Sequence, residues 1–361
     1  MKKYDLTTEA GTRAYLASDL NLDVKSVKGF GDGSLNFVWR VELNTQYKGQ
    51  NSVVVKHAAP FALADQNAEI GVGRLTFENN ALEMISSERS IIGEDELVTV
   101  PAAYHYDSKK HVLIMHDVGS LPTLYDLISA KRTLSADMLT VIGTKLATFI
   151  AGVHNWGRNN EKVHAKLSNN KAGRTVMDDL GYQTVIPKAA EYGISDPLLA
   201  TVVDALADED RTSQETVIMG DFWTQNVMVD LEDTGSGEKA LKKIWIIDWE
   251  GCRYGTPAVD VTSLVGDCYL LSRFYEQKSA EVLRHSFLKT YASKAFSKVD
   301  PLRVVTGVGI HWIMWAKIVG GENTSHAEVK ECMEKGVDYI HKSWEKSEGW
   351  LRSSLIRELV D

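Results

Sequence analysis

Two spacings of apolar residues divide the chain. Up to about residue 115, short apolar or alternating runs prevail, at 24–29, 37–43, 52–58, 98–104 and 111–117. Runs of that length predict β-strands. Two stretches in this half read as helices, 7–20 and 75–85; the second carries apolar side chains at 77, 81, 82, 84 and 85. Beyond residue 120 helical spacing takes over. A Leu-rich helix is expected from Thr123, and residues 137–154 place apolar side chains at 139, 142, 146, 149, 150 and 153, a long amphipathic helix. Helices are expected over most of 260–361. Two short apolar strands interrupt them, starting at Val217 and Ile244, with 232–239 as an exposed hairpin tip between. Residues 155–174, rich in Asn, Lys and Gly, read as a mobile loop. The chain is longer than one core usually organises. The expected architecture is therefore α+β and bilobal: a small β-rich lobe over 1–115, a hinge at 116–120 and a mostly helical lobe over 121–361.

Candidate chemistry gathers where these strands end. The first reads Val217-Ile-Met-Gly-Asp-Phe-Trp-Thr-Gln-Asn226, the second Ile244-Trp-Ile-Ile-Asp-Trp-Glu250. An Asp, an Asn five residues later and a second Asp one hairpin away suit phosphoryl transfer, which needs positioning and charge neutralisation more than a covalent intermediate. Asp221 is the candidate base or positioner for an attacking hydroxyl. Asn226 and Asp248 are candidate Mg²⁺ ligands, since that hard cation takes carboxylate and amide oxygens. Glu250 is expected to reach metal through water. Asp and Asn are also common turn formers, so this spacing needs support upstream.

That support is present. Gly29-Phe-Gly-Asp-Gly-Ser-Leu-Asn36 opens onto the 37–43 strand. Gly29, Gly31, Asp32, Gly33, Ser34 and Asn36 are the candidate phosphate cover, because glycine lets backbone approach phosphate closely. An ordinary hairpin turn would read the same. Lys56 lies in an apolar strand, where a charge is costly unless paired. Its expected partner is Glu78 on the following helix, with Glu83 on the solvated face. Backbone groups from Met115 to Asp117 are expected to meet a nucleotide base at the hinge.

These motifs resemble the small-molecule kinases of the aminoglycoside phosphotransferase, choline kinase and methylthioribose kinase superfamily. Its loop is usually His-Gly-Asp-(Phe/Leu)-x-x-x-Asn; here it is Met219-Gly220-Asp221-Phe222-Trp223-Thr224-Gln225-Asn226, with Met in place of His. Asp248-Trp249-Glu250 resembles its metal motif, and Gly255-Thr-Pro257-Ala-Val-Asp260 the segment that follows, where Asp260 is expected to be a structural anchor. Gly31-Asp-Gly-Ser-Leu-Asn-Phe37 is similar to the methylthioribose kinase loop. Further stretches are similar to the fungal 4-hydroxytryptamine kinase subfamily of psilocybin biosynthesis: Val53-Val-Val-Lys-His-Ala58, Gln183-Thr-Val-Ile-Pro-Lys-Ala-Ala190, Glu191-Tyr-Gly-Ile-Ser-Asp-Pro-Leu-Leu199, Gly266-Asp-Cys-Tyr-Leu-Leu-Ser-Arg-Phe274 and His311-Trp-Ile-Met-Trp315. The resemblance implies a protein-kinase-like fold, ATP as phosphoryl donor, Mg²⁺, and a small hydroxyl-bearing acceptor, a cationic amine of the hydroxyindole ethylamine type. Methylthioribose, choline-like amines and aminoglycosides stay open as acceptors, as does a nucleotide-binding pseudokinase. Candidates for the acceptor pocket are Trp223, Trp249, Asp267, Tyr269, His311, Trp312 and Trp315. Trp and Tyr at helical spacing usually fill core, which is the competing reading for Trp312 and Trp315; for His311 it is a hydrogen-bonded structural role.

Composition narrows the alternatives. The net charge of −9 argues against a nucleic-acid partner. It is mildly favourable to a cationic substrate. Three widely spaced cysteines show no disulfide or zinc pattern and read as buried thiols. The N-terminus has no apolar leader core and no run of 18 apolar residues occurs, so a cytoplasmic protein without a membrane span is expected, as a monomer or weak homodimer. The His-Arg-Asp and Asp-Phe-Gly segments of protein kinases are absent.

Overall fold

The structure, a computed structural model, describes residues 4–31, 35–130, 134–235, 239–275, 277–346 and 348–360. Thr8, in extended conformation, accepts from the Gly11 amide and caps helix α1 (Glu9–Asp19). Strands β1 (Val24–Gly29), β2 (Phe37–Tyr47) and β3 (Gln50–His57) follow. Helix α2 (Arg74–Ile85) and the short α3 (Arg89–Ile92) lead to β4 (Val98–Thr99), β5 (Ala103–Asp107) and β6 (Val112–His116). One antiparallel sheet takes the order β1-β2-β3-β6-β5. Alternation in β2 buries Phe37, Trp39, Val41 and Leu43 on one face. They share a core with Val53, Val55, Ile114 and with Tyr15 and Leu16 of α1. Leu75, Leu82 and Ile85 of α2 belong instead to the large core that continues into the second half of the chain, together with Leu113 and Met115 of β6.

That second half is mostly helical. It begins with α4 (Leu124–Ser129), closed at its start by a capping box between Thr123 and Asp126, and α5 (Ala136–Gly157). Next come α6 (Glu161–Leu167), α7 (Lys171–Leu180), α8 (Val185–Glu191) and α9 (Pro197–Thr212). The strands are β7 (Thr216–Ile218), β8 (Val227–Asp233), β9 (Lys239–Ile246) and β10 (Arg253–Gly255). Helices α10 (Ala258–Phe274), α11 (Gln277–Lys294), α12 (Pro301–Gly320), α13 (His326–Trp344) and α14 (Glu348–Leu351) complete the chain. β8 and β9 form a hairpin, while β7 pairs antiparallel with β10. The α+β class expected from the apolar spacing is the observed one.

Two local expectations are corrected. The 98–104 run is two strands, because Pro101 has no amide hydrogen to continue a ladder. Before it, β4 pairs in parallel with β9; after it, β5 joins the first sheet. The segment 155–174 holds α6 and most of the first turn of α7 instead of a loop. Its asparagines are caps: Asn160 accepts from the Val163 amide and Asn170 from the Gly173 amide. Val163 and Leu167 are buried. Cys252, Cys268 and Cys332 are buried free thiols. Helices α5 and α12 are long and apolar enough to cross a membrane, yet half or more of each apolar window is buried inside the protein, as in a core helix.

Candidate active site

The loop after β7 is held from below. Gly220 has φ +84°, and a Cβ there would lie 2.2 Å from the Arg253 guanidinium and 2.7 Å from the Gly251 carbonyl oxygen. Only glycine fits this turn. The fully buried Asp260 accepts from the amides of Met219 and Gly220, both at 2.8 Å, and lies 3.0 Å from His154 Nε2. His154 Nδ1 in turn lies 2.8 Å from the Tyr291 hydroxyl. Asp260 is thus an anchor for the loop, not a group at the reacting centre. Met219 is fully buried.

Asp221 and Asn226 meet directly. The Asn226 amide nitrogen donates to Asp221 Oδ2 at 2.7 Å and to the Asp221 carbonyl at 3.0 Å. Burial, then the charge of Asp248, raise the Asp221 pKa to about 7 against the opposing hydrogen bond from Asn226. A carboxyl near neutrality can both orient a hydroxyl and take its proton.

Lys56 lies 2.8 Å from Glu78 and 2.5 Å from Asp248. Burial opposes the lysine's charge, but Asp248, Glu250 and Glu78 outweigh it and raise its pKa. Glu83 is exposed. Asp248 has φ +64°, a left-handed conformation rare for a residue with a Cβ. The amide that follows it, on Trp249, donates to Glu78 Oε1 at 3.3 Å. One oxygen each from Glu78, Asp248 and Glu250 can lie within 4.8 Å of one another. This hard-oxygen donor set fits Mg²⁺. Lys56 meets both Glu78 and Asp248, but Glu78 is buried while Asp248 is partly exposed, so Asp248 is the more accessible candidate ligand, and Asn226 beside Asp221 could add an amide oxygen.

Glu250 belongs to a buried triangle that sequence reading missed. Its Oε2 accepts from Arg74 Nε at 2.8 Å and from Asn36 Nδ2 at 2.7 Å, and Arg74 Nη2 donates to Asn36 Oδ1 at 2.6 Å. The triangle ties the end of the glycine-rich segment to α2 and to the loop after β9. Asn170 braces the same loop by donating to the carbonyls of Glu250 and Cys252. Arg74 was legible only as a polar residue at a helix start, with nothing to mark its complete burial.

Gly29 ends β1, and Gly31 follows Phe30 in the turn; Asp32, Gly33 and Ser34 lie outside the described residues. Met115 is buried near the end of β6. The Asp117 carboxylate is taken by Arg40, at 2.9 Å to Nε and 2.9 Å to Nη2, and by the Gly119 amide. It fixes the connector to β2. His116 stacks on Trp245 of β9, ring centroids 5.2 Å apart.

The acceptor-pocket candidates separate into two groups. A cavity partly open to solvent is lined by Asp221, Trp223, His311 and Trp315. Arg303, Gly307, Ile310, His311, Met314 and Trp315 form one face of α12, with Val259, Thr262 and Ser263 from α10. Trp315 thus borders the cavity and is not pure core. Trp249, Asp267, Tyr269 and Trp312 do not line it. Trp249 is fully buried against Phe149, and its indole N–H donates to the Ile246 carbonyl. Asp267 lies under the loop, accepting from the amide and hydroxyl of Thr224; burial raises its pKa to about 6. Trp312, one residue from His311 and so about 100° around the helix, packs between Tyr269 and Tyr339. Tyr182, Met177 and Arg303 line the cavity without having been singled out.

A small antiparallel sheet, an ion-paired lysine, an Asp-Asn loop and a mostly helical second half define a kinase-type small-molecule phosphotransferase. The chain belongs to the ecdysteroid kinase-like family, which matches residues 32–295. It is similar to the 4-hydroxytryptamine kinase of Psilocybe cyanescens, 39% identical with 98% of both chains covered, and to that of Psilocybe cubensis, 38% identical with the same coverage. Its fold resembles a mutant aminoglycoside 2'-phosphotransferase IIIa in complex with GDP, with a TM-score of 0.50 and 13% identity, over 95% of this chain and 100% of that one.

Proposed function

We propose that this protein is an ATP- and Mg²⁺-dependent kinase that phosphorylates the hydroxyl of a 4-hydroxytryptamine-type indole. The observation that carries this is the position of Asp221, which hydrogen-bonds Asn226 and also lines an aromatic cavity. The two fungal relatives supply the acceptor class. The cavity suits a flat aromatic ring: Trp223 and Trp315 lie side by side, ring centroids 5.2 Å apart.

Each residue then has a role. Asp221 orients the acceptor hydroxyl and takes its proton as the bond to phosphorus forms. A phenolic hydroxyl is already acidic, so a carboxyl near neutrality suffices. Lys56, held by Glu78, grips donor phosphate, and the segment from Gly29 to Asn36 covers it. Asp248 and Asn226 hold the metal, with Glu250 behind them. Bound Mg-ATP supplies the phosphoryl group and the cation that neutralises its oxygens. An ammonium on the acceptor finds the face of Trp223; one approach to Trp315 is already held by Lys188, whose Nζ lies 5.3 Å from the ring centroid. A cytoplasmic location fits this role.

The test is incubation with Mg-ATP and, separately, 4-hydroxytryptamine, methylthioribose, choline and an aminoglycoside, followed by ADP release and product mass. A gain of one phosphoryl group on the hydroxyindole is expected. Transfer to another compound keeps the chemistry and discards the acceptor. Nucleotide binding without transfer to any of them favours the pseudokinase.

A further inference from the structure

Helix α2 turns two buried charged side chains onto one face, Arg74 and Glu78, four residues apart. Glu78 holds Lys56. Arg74 holds no lysine, and its complete burial is costly unless its donors are matched. The matching is specific. Nε donates to Glu250 Oε2 at 2.8 Å and Nη1 to the Gly71 carbonyl at 2.6 Å. Nη2 donates to Asn36 Oδ1 at 2.6 Å and to the Leu35 carbonyl at 3.4 Å. Asn36 closes the ring by donating to the same Glu250 oxygen at 2.7 Å. Three stretches far apart in sequence meet on one guanidinium. A planar fork of donors can do this, whereas an ammonium is a point charge.

The sheets leave this spacing unset. The glycine-rich segment joins β1 to β2 of the first sheet, while the loop with Asp248 and Glu250 follows β9 of the sheet β4-β9-β8, and the two sheets share no strand. Side chains must fix one loop against the other. The pair Lys56–Asp248 is one such link, but it starts from β3. Arg74 is the link that reaches the end of the glycine-rich segment. Both ends of the Asn36 amide are spent on this link, so Asn36 supports the phosphate cover from behind. Glu78 meanwhile accepts from the Trp249 amide, so one face of α2 grips consecutive residues of the loop after β9.

We infer that Arg74 is a positioning residue for the donor phosphates. Through Leu35 and Asn36 it sets the end of the glycine-rich segment at a fixed spacing from the loop that carries Asp248 and Glu250. This rests on the proposed kinase reading and adds the residue that joins phosphate cover to metal loop. The link lies on the nucleotide side alone, so its loss weakens the grip on ATP and leaves the acceptor's cavity as it was.

The test uses Arg74→Lys and Asn36→Ala. Arg74→Lys keeps a charge beside Glu250 without the fork. Asn36→Ala opens the link but leaves the Arg74–Glu250 ion pair in place, so it does not depend on Arg74→Lys folding. Mg-ATP affinity is measured by calorimetry, and both KM values with 4-hydroxytryptamine as acceptor. Each variant is expected to lose about tenfold in Mg-ATP affinity and in nucleotide KM. The acceptor KM should stay within about twofold. A merely structural role would lower the folded fraction, and with it kcat, while leaving both KM values in place. Unchanged Mg-ATP affinity in Asn36→Ala, or an equal rise of both KM values, overturns the assignment and leaves the kinase reading standing. If the wild type binds Mg-ATP without phosphorylating the hydroxyindole, the acceptor class falls and the calorimetric comparison still decides the role of Arg74. A wild type that binds no Mg-ATP overturns the kinase reading, and this assignment with it.

Discussion

The two sides of Asp221 are built on opposite principles. On the proposed nucleotide side, charged groups meet one another: Lys56 with buried Glu78 and partly exposed Asp248, and Arg74 with Glu250, joined by the amide of Asn36. On the proposed acceptor side, apolar and aromatic side chains prevail, and three covered polar atoms, His311 Nε2, Trp223 Nε1 and Arg303 Nη2, have no hydrogen-bond partner among the described residues. A paired network holds its geometry before any ligand arrives, because breaking it strands a buried charge. A mostly apolar wall instead selects its ligand by shape. The first arrangement suits chemistry common to many acceptors, the second a choice among them.

If that division holds, substitutions on the two sides should fail differently. The largest effect is expected from Asp221→Ala: a loss of kcat of about a thousandfold for every acceptor, with Mg-nucleotide binding retained in calorimetry. Asp248→Ala should remove turnover and also weaken nucleotide binding, visible as loss of the Mg²⁺-dependent part of the affinity. Ordinary turnover in either variant sinks the site assignment. Next comes the anchor. Asp260→Ala strands two buried backbone amides, and denaturant unfolding should show a loss of roughly 3 kcal/mol.

On the acceptor wall the expected effects are smaller and selective. Trp223→Ala should raise the acceptor KM about tenfold, while the nucleotide KM stays within twofold; equal changes in both would erase the contrast. A last effect concerns stability against pH. The folded pKa of His311 lies below its unfolded value, so the unfolded chain binds the extra proton. Its contribution is therefore fully present above about pH 6.5 and is lost as pH falls towards 3, on the order of 2 kcal/mol by pH 5. His311→Phe should flatten that part of the stability profile between pH 7 and 5.

How much of this could be read from the chain differs between the same two sides. Asp221, Lys56 and Asp248 stood out because charged residues near the ends of apolar strands are unusual and need partners; Asn226 followed from its spacing to Asp221, and Glu78 from the helix after Lys56. The structure brings them together. Asp260 was legible as an anchor from its Gly-x-Pro-x-x-Asp setting. Four of the seven acceptor-pocket candidates, Trp249, Asp267, Tyr269 and Trp312, turned out to face elsewhere. Aromatic type marks burial in core and cavity wall alike, so it cannot tell His311 and Trp315 from Trp312. Asn160 and Asn170 were misleading for a related reason: asparagine signals a loop and a helix cap equally well.

By itself, then, the sequence determined the strand-rich first part, the mostly helical remainder and the ionisable groups available for phosphoryl transfer, because periodicity and charge are local properties of the chain. Tertiary structure decided which face of α10 and α12 borders the cavity, which polar groups find partners and which are left open. Those outcomes depend on the rotation of one helix against another: a step of one residue turns a side chain by about 100°. In this protein that step separates His311, at the wall of the cavity, from Trp312, sealed in the core.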